Sequence, residues 1–168
     1  MGFDAAFAIL LAEEGGYVDS ENDPGGATKY GISQRSYPNL DIPNLTIDQA
    51  KQIYLDGYWN PLSCDKMPFL VSCVLFCEAV NAEGSGSRGC IVKLLQQTVG
   101  ATQDGVLGQM TVDAVNAHKP DMTCDYFNAL SAMRYASLKE FSIYGKGWLA
   151  RLFRVYRKAI EANGITTT

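Results

Sequence analysis

The 168-residue chain holds a single histidine, His118, and its five cysteines (Cys64, Cys73, Cys77, Cys90 and Cys124) include no Cys-x-x-Cys pair. A zinc centre or a cysteine–histidine nucleophile would depend on that one imidazole, which argues against both. No metal and no cofactor are expected. An odd cysteine count is not a complete disulfide framework. Cys73 and Cys77 lie one helical turn apart in an apolar run and read as buried free thiols. That run, near residues 69–77, is too short to cross a membrane and suits a buried core helix. After Met1-Gly2-Phe3-Asp4 there is no basic leader and no small-residue cleavage pattern, so no ordinary secretory signal is visible. Internal repeats, low-complexity segments and a flexible linker are also missing.

Basic residues are scarce over most of the chain. Up to residue 133 there are 16 acids against 7 bases, and from Arg134 onward 7 bases against 2 acids. The bases form no long stripe interleaved with aromatics, which argues against nucleic acid as a partner. A solvated helix face is the common meaning of such an end, and an anionic polymer or headgroup surface is the alternative. With 47% hydrophobic and 19% charged residues, the composition is that of a soluble globular protein. The length allows one domain with a real core, or two closely packed lobes.

Helical periodicity dominates what is present. Phe3, Phe7, Leu10 and Leu11 repeat at helical spacing in a helix that ends at Glu14. Thr46 and Gln49 form a capping box that opens a helix to about residues 54–57. Tyr58-Trp59 follow; aromatic residues in such a place are more often core than exposed platform. Residues 68–82 are apolar nearly all round and predict a central buried helix. A helix over 88–99 stops at Gly100, and a short one ends near His118. Pro120 opens a long helix with Leu130, Met133 and Leu138 at helical steps, which Gly145-Lys146-Gly147 should break. A last helix, 148–162, shows Leu149, Leu152, Phe153 and Tyr156 on one side and Arg151, Arg154 and Lys158 on the other.

The most informative stretch runs from Glu13 to Ser33. Glu14 closes the first helix, and Gly15-Gly16 lets the chain leave it. A turn at Asp23-Pro24-Gly25-Gly26 and a β-like run at Tyr30 to Ile32 then read as a tight hairpin carrying Asp23 and Thr28. A glutamate in a last helical turn and an Asp-Pro-Gly-Gly turn usually mean no more than solvated surface. Yet the helix dipole disfavours an anion at that end, and a placement that local physics opposes points toward function.

Glu14-Gly15-Gly16-Tyr17, Asp23-Pro24-Gly25-Gly26 and Thr28-Lys29-Tyr30-Gly31-Ile32-Ser33 together resemble the signature of the phage-type N-acetylmuramidases, glycoside hydrolase family 108. Residues 104–111, Asp-Gly-Val-Leu-Gly-Gln-Met-Thr, resemble a loop of that family's C-terminal peptidoglycan-binding region. The resemblance implies a mainly α, lysozyme-like α+β fold: a helical bundle with one small β-hairpin carrying the active-site loop. It implies a catalytic region over 1–85 and a helical peptidoglycan-binding region over 86–168, packed as one unit. Glu14 would be the catalytic acid, with Asp23 and Thr28 handling water, and Asn81 and Asp104 meeting substrate. Tyr17 and Tyr30 are plausible cleft walls or packing residues.

Glycosidic cleavage needs a proton delivered to the leaving oxygen and stabilisation of an oxocarbenium-like transition state. The expected activity is therefore a muramidase acting on the glycan strands of peptidoglycan. The alternatives are a lytic transglycosylase, a non-catalytic wall-binding protein and a phage or secretion-apparatus structural component. One histidine and no paired metal ligands make an amidase or peptidase a poor fit. A monomer is expected, made in the cytoplasm and reaching the periplasmic wall by a holin-like or other route.

Overall fold

The computed structural model describes residues 2–14, 27–82 and 88–164. Helix α1 (Phe3–Glu14) precedes a two-stranded antiparallel hairpin of β1 (Thr28–Lys29) and β2 (Ile32–Ser33). Among the described residues, six helices follow: α2 (Ile47–Tyr54), α3 (Phe69–Asn81), α4 (Arg88–Thr98), α5 (Gln109–Ala117), α6 (Pro120–Ala136) and α7 (Phe141–Ala162). The fold is mainly α with one small hairpin, as the sequence suggests.

The hairpin sits differently from its expected place. Lys29 pairs with Ile32, so Tyr30 and Gly31 form a two-residue loop with φ of +55 and +79. Positive φ at both positions is the type I′ turn, whose twist matches that of paired strands. The β run expected at Tyr30 to Ile32 is therefore turn at its first two residues. Gly31 takes its position without steric cost. Tyr30 is held there through its carbonyl, which accepts from the Tyr54 hydroxyl at 2.9 Å, and buried Ile32 pins the second strand to the core.

The Thr46–Gln49 capping box is formed. The Gln49 amide donates to Thr46 Oγ1 at 3.2 Å, and the Thr46 amide donates to Gln49 Oε1 at 2.9 Å. Such a cap contributes about 1 kcal/mol. Helix α2 runs on into a π-helical turn, Leu55–Trp59. Tyr58 and Trp59 are buried there, which makes them core residues and not a sugar platform. Helix α3 is the centre of the molecule: residues 70–79 are all buried, and α1, α4, α6 and α7 pack around it. Phe3, Phe7, Tyr54, Trp59 and Phe76 join α1, α2 and α3 in a cluster with centroids 5.5 to 6.2 Å apart. Cys73 and Cys77 lie inside α3, as expected of buried thiols.

Two expectations for the C-terminal half fail. Helix α6 ends at Ala136, and α7 runs unbroken through Gly145-Lys146-Gly147. Glycine fits at position 145 of the helix because the Phe141 ring occupies the space a side chain would take: a Cβ there would lie 2.4 Å from that ring. A glycine inside a helix costs roughly 0.5–1 kcal/mol, which the packing of α7 on α1, α3 and α6 offsets. The buried face of α6 also differs from its apolar stripe. Thr123, Cys124, Phe127, Asn128, Ser131 and Tyr135 face inward, while Met133 is exposed.

Candidate active site

Helix α1 ends in two adjacent glutamates with separable fates. The Glu13 side chain is only 3% exposed. Its Oε2 accepts from Arg154 Nε at 3.0 Å and Nη2 at 2.7 Å, and its Oε1 accepts from Lys158 Nζ at 2.7 Å. Burial pushes the Glu13 carboxyl up, but the hydrogen bonds and charges of Arg154 and Lys158 outweigh it and hold the carboxyl below its ordinary value. Glu13 is thus a fixed anion that locks the end of α1 to α7 and holds no proton to give at neutral pH. Arg154 and Lys158, one turn apart on α7, are its clamp; Arg154 stays exposed, as expected of a solvated helix face, while Lys158 is half-buried.

Glu14 is the last residue of α1. Its side chain lies outside the described residues, as do Tyr17 and Asp23. Thr28 opens β1, half-buried and paired with Ser33. Tyr30 occupies the hairpin turn beside the Lys29 ammonium, which lies 5.6 Å from its ring centre and donates to the Pro43 carbonyl. Gln34 Nε2 donates to the carbonyls of Tyr37, Pro38 and Leu40 and shapes the loop that leaves the hairpin.

Asn81 is the last residue of α3. Its Nδ2 donates to the Tyr135 hydroxyl at 2.8 Å, and that hydroxyl donates to Glu78 Oε2 at 2.8 Å. Glu78 is 2% exposed. Burial raises its carboxyl, and the Tyr135 hydrogen bond with the charges of Arg151 and Arg134 offsets only part of that. The Tyr135 phenol is pushed up by burial and by Glu78. The Trp148 ring of α7 meets Tyr135 at 35° with centroids 5.5 Å apart, and Tyr144 meets Trp148 at 37° with centroids 6.0 Å apart.

Asp104 belongs to a different part of the chain. Its Oδ1 accepts from the Val106 amide at 2.9 Å and from Gln96 Nε2 at 2.7 Å. The Val106 backbone bond, then the Gln96 bond, hold its carboxyl below the ordinary value. Buried Gln96 also donates to the Val106 carbonyl and accepts from the Gly105 amide. These contacts fix the loop from within and border a cavity of about 420 Å³ whose lining includes Asp104, Val106 and Met110.

Sequence reasoning names Glu14, Thr28, Tyr30, Asn81 and Asp104 but misses Glu13, Glu78 and Tyr135. The available signals were the doubled glutamate at the helix end and the i, i+4 pair of Arg154 and Lys158. The sequence pattern of a family described as glycosyl hydrolase 108 matches residues 7–83. The solved structure of Brucella abortus SagA is similar to this chain over 95% of its residues and 94% of that chain. The two share 32% identity and superpose with a TM-score of 0.81. No curated protein matches.

Proposed function

The chain belongs to the glycosyl hydrolase 108 family and is a lysozyme-type peptidoglycan hydrolase, and we propose that Glu14 is the general acid with which it cleaves the β-1,4 bond between N-acetylmuramic acid and N-acetylglucosamine. The observation that carries this assignment is the fate of the neighbouring glutamate. Glu13 has both oxygens engaged by cations and is held as an anion, which supports Glu14 as the proton donor at the end of α1. A helix C-terminus is the negative end of the helix dipole, which favours the protonated form of a carboxyl placed there. A general acid at neutral pH needs that bias.

In this reading Glu14 protonates the leaving glycosidic oxygen. Asp23 holds or activates the attacking water, or faces the positive charge that develops on the sugar, and the Thr28 hydroxyl positions the water. Tyr17 and Tyr30 wall the cleft, and Asn81 meets substrate. The 104–111 loop contacts the wall. Asp104 serves it by fixing the loop's shape, since its carboxylate is already engaged by Gln96 and Val106, and exposed Val106 and Met110 offer the surface.

Mass analysis of fragments released from purified sacculi tests the reaction. Ordinary reducing-end N-acetylmuramic acid is expected, with a large rate loss and intact folding in Asp23→Asn. Predominantly 1,6-anhydro products would mean that water is excluded, and the protein would then be a lytic transglycosylase.

A further inference from the structure

Helix α7 connects the clamp on α1 to a second, aromatic surface. Lys158 and Arg154 hold Glu13. Further toward the start of the helix, the Arg151 charge acts on Glu78, Trp148 lies on Tyr135, and Tyr144 lies on Trp148. Residues 144, 148, 151, 155 and 158 share one face by their i, i+3 and i+4 spacing. Along the axis Trp148 stands about 9 Å and Tyr144 about 15 Å from Arg154. Tyr144 is 56% exposed, so its ring is open to a ligand.

The same cluster fixes one polar group. Tyr135 has a single hydroxyl proton, and it goes to Glu78 Oε2, so its oxygen is left to accept from Asn81 Nδ2. That bond sets the amide of Asn81: its nitrogen is directed inward, with one of its two N–H donors used. Among the described residues nothing donates to Asn81 Oδ1, although the residue is only half-buried.

We propose that Tyr144 and Trp148 of α7, with the Oδ1 of Asn81, form a subsite for an N-acetylated amino sugar of the strand, beyond the sugars that flank the cleaved bond. The proposal rests on the muramidase reading above and names a part of the strand that reading leaves unplaced. Aromatic faces match the apolar face of a sugar ring. An oriented amide oxygen matches the N–H that every acetamido sugar carries. Arg154, Lys158 and Arg157 are engaged by Glu13 and Glu161, but exposed Lys146, between Tyr144 and Trp148 in the sequence, complements the carboxylates on the peptide stems of the strand. Glu78 and Tyr135 do not touch the sugar; they are positioning residues that keep the Asn81 oxygen available.

The two tryptophans make the test direct. Trp59 is 1% exposed and its indole N–H donates to Asp65, so a fluorescence change on adding ligand reports Trp148. The probes are soluble, peptide-free glycan strands and the shortest fragment that the enzyme cleaves. With Glu14→Gln protein, the long strands should change tryptophan fluorescence, and Trp148→Phe in that background should abolish the signal. Tyr144→Ala should lower kcat/KM on long strands about tenfold more than on the shortest fragment, mainly through KM. Its melting temperature should be unchanged. Equal losses on the two substrates, or wild-type behaviour on long strands, would overturn the subsite while leaving the hydrolase reading intact. Sacculi left uncut by wild-type protein that still shows the Trp148 signal would uphold the subsite and sink the hydrolase reading.

Discussion

Two buried glutamates near the C-terminal ends of helices are handled in opposite ways. Glu13, on the last turn of α1, meets two cations and is held as an anion. Glu78, on the last turn of α3, meets a phenol that in turn accepts from an amide, and burial raises its carboxyl. Burial acts in the same direction on both. The difference is that full charges from Arg154 and Lys158 touch Glu13 directly, whereas the hydrogen bond Glu78 accepts comes from the uncharged Tyr135 phenol, with the charges of Arg151 and Arg134 acting beside it. A carboxylate with charge-assisted partners is a fixed strut; one with a neutral partner is a link in a hydrogen-bond chain whose far end is Asn81.

The largest expected effect comes from the glutamate that neither arrangement claims. Glu14→Gln should reduce lysis of sacculi by about 10²–10⁴-fold, the usual contribution of a general acid. Its melting temperature should stay within a degree or two of wild type. Glu13→Gln should keep the reaction, because its carboxylate is engaged by α7. If Glu13→Gln were the dead variant and Glu14→Gln lysed sacculi normally, the roles assigned at the end of α1 would have to be exchanged.

Stability, not rate, should register the loss of the strut. Glu13→Gln removes charge-assisted bonds and leaves Arg154 and Lys158 without their anion. Hydrogen bonds to charged groups contribute about 1.5–3 kcal/mol each when buried; with Arg154 46% and Lys158 30% exposed, a total loss of about 2 kcal/mol is the expectation. The pH dependence has a definite sign. A carboxyl held below its ordinary value, about 4.3 for glutamate, adds stability above that pH and gives it up as the pH falls through the folded value. Urea titrations between roughly pH 3 and 6 should therefore show a shallower acid limb in Glu13→Gln than in wild type. Parallel limbs would mean that the pair contributes nothing.

The contrast between these two sites also explains what the sequence could reveal. Signals that act over a few residues were legible: the Thr46–Gln49 box, the Gly100 stop at φ +67, the apolar stripe of α1, and the all-round apolar run of α3. The proposal for Glu14 draws on the same kind of signal, since that residue sits inside a contiguous motif. The Glu13 clamp joins residues 141 and 145 positions apart, and the Tyr135–Glu78 bond spans 57; no local pattern encodes such pairs. The α6–α7 region was misread where packing overrides pattern. Gly145 breaks helices in isolation, but here the ring of Phe141 lies against it. Polar Thr123, Asn128 and Ser131 face inward on α6 while Met133 faces out, so apolarity alone picks the wrong side.

Breaking the middle of the Glu78 link should cost less than breaking the strut. Tyr135→Phe keeps the ring against Trp148 but deletes the hydroxyl that joins Asn81 to Glu78. Leaving buried polar partners unsatisfied costs about 1–3 kcal/mol. Because Asn81 is partly exposed and can turn to water, a loss of about 1 kcal/mol is expected, measured as a lower urea midpoint at unchanged m. The variant should also weaken KM on long strands through the freed Asn81 amide. A purely structural role would leave that KM unchanged once folding is complete.

The smallest effect should come from Glu78→Gln, which sharpens the comparison most. The amide oxygen can still accept from the Tyr135 hydroxyl, so the chain to Asn81 survives. What changes is the pH dependence. A carboxyl whose folded value is raised binds its proton more tightly in the folded state than in the unfolded one. Stability from it is present at low pH and is lost as the pH rises from about 4.3, the unfolded glutamate value, through the raised folded value. Removing the ionisable group removes that loss, so Glu78→Gln should match wild type within about 1 kcal/mol at acid pH and equal or exceed it near neutrality. The slope between those limits should be opposite in sign to the change produced by Glu13→Gln. Chemical denaturation at a series of pH values reads both variants in one experiment. If Glu78→Gln instead lost stability as the pH rose from acid to neutral, Glu78 would be an anion held by Arg151 and Arg134, and the two glutamates would be struts of the same kind.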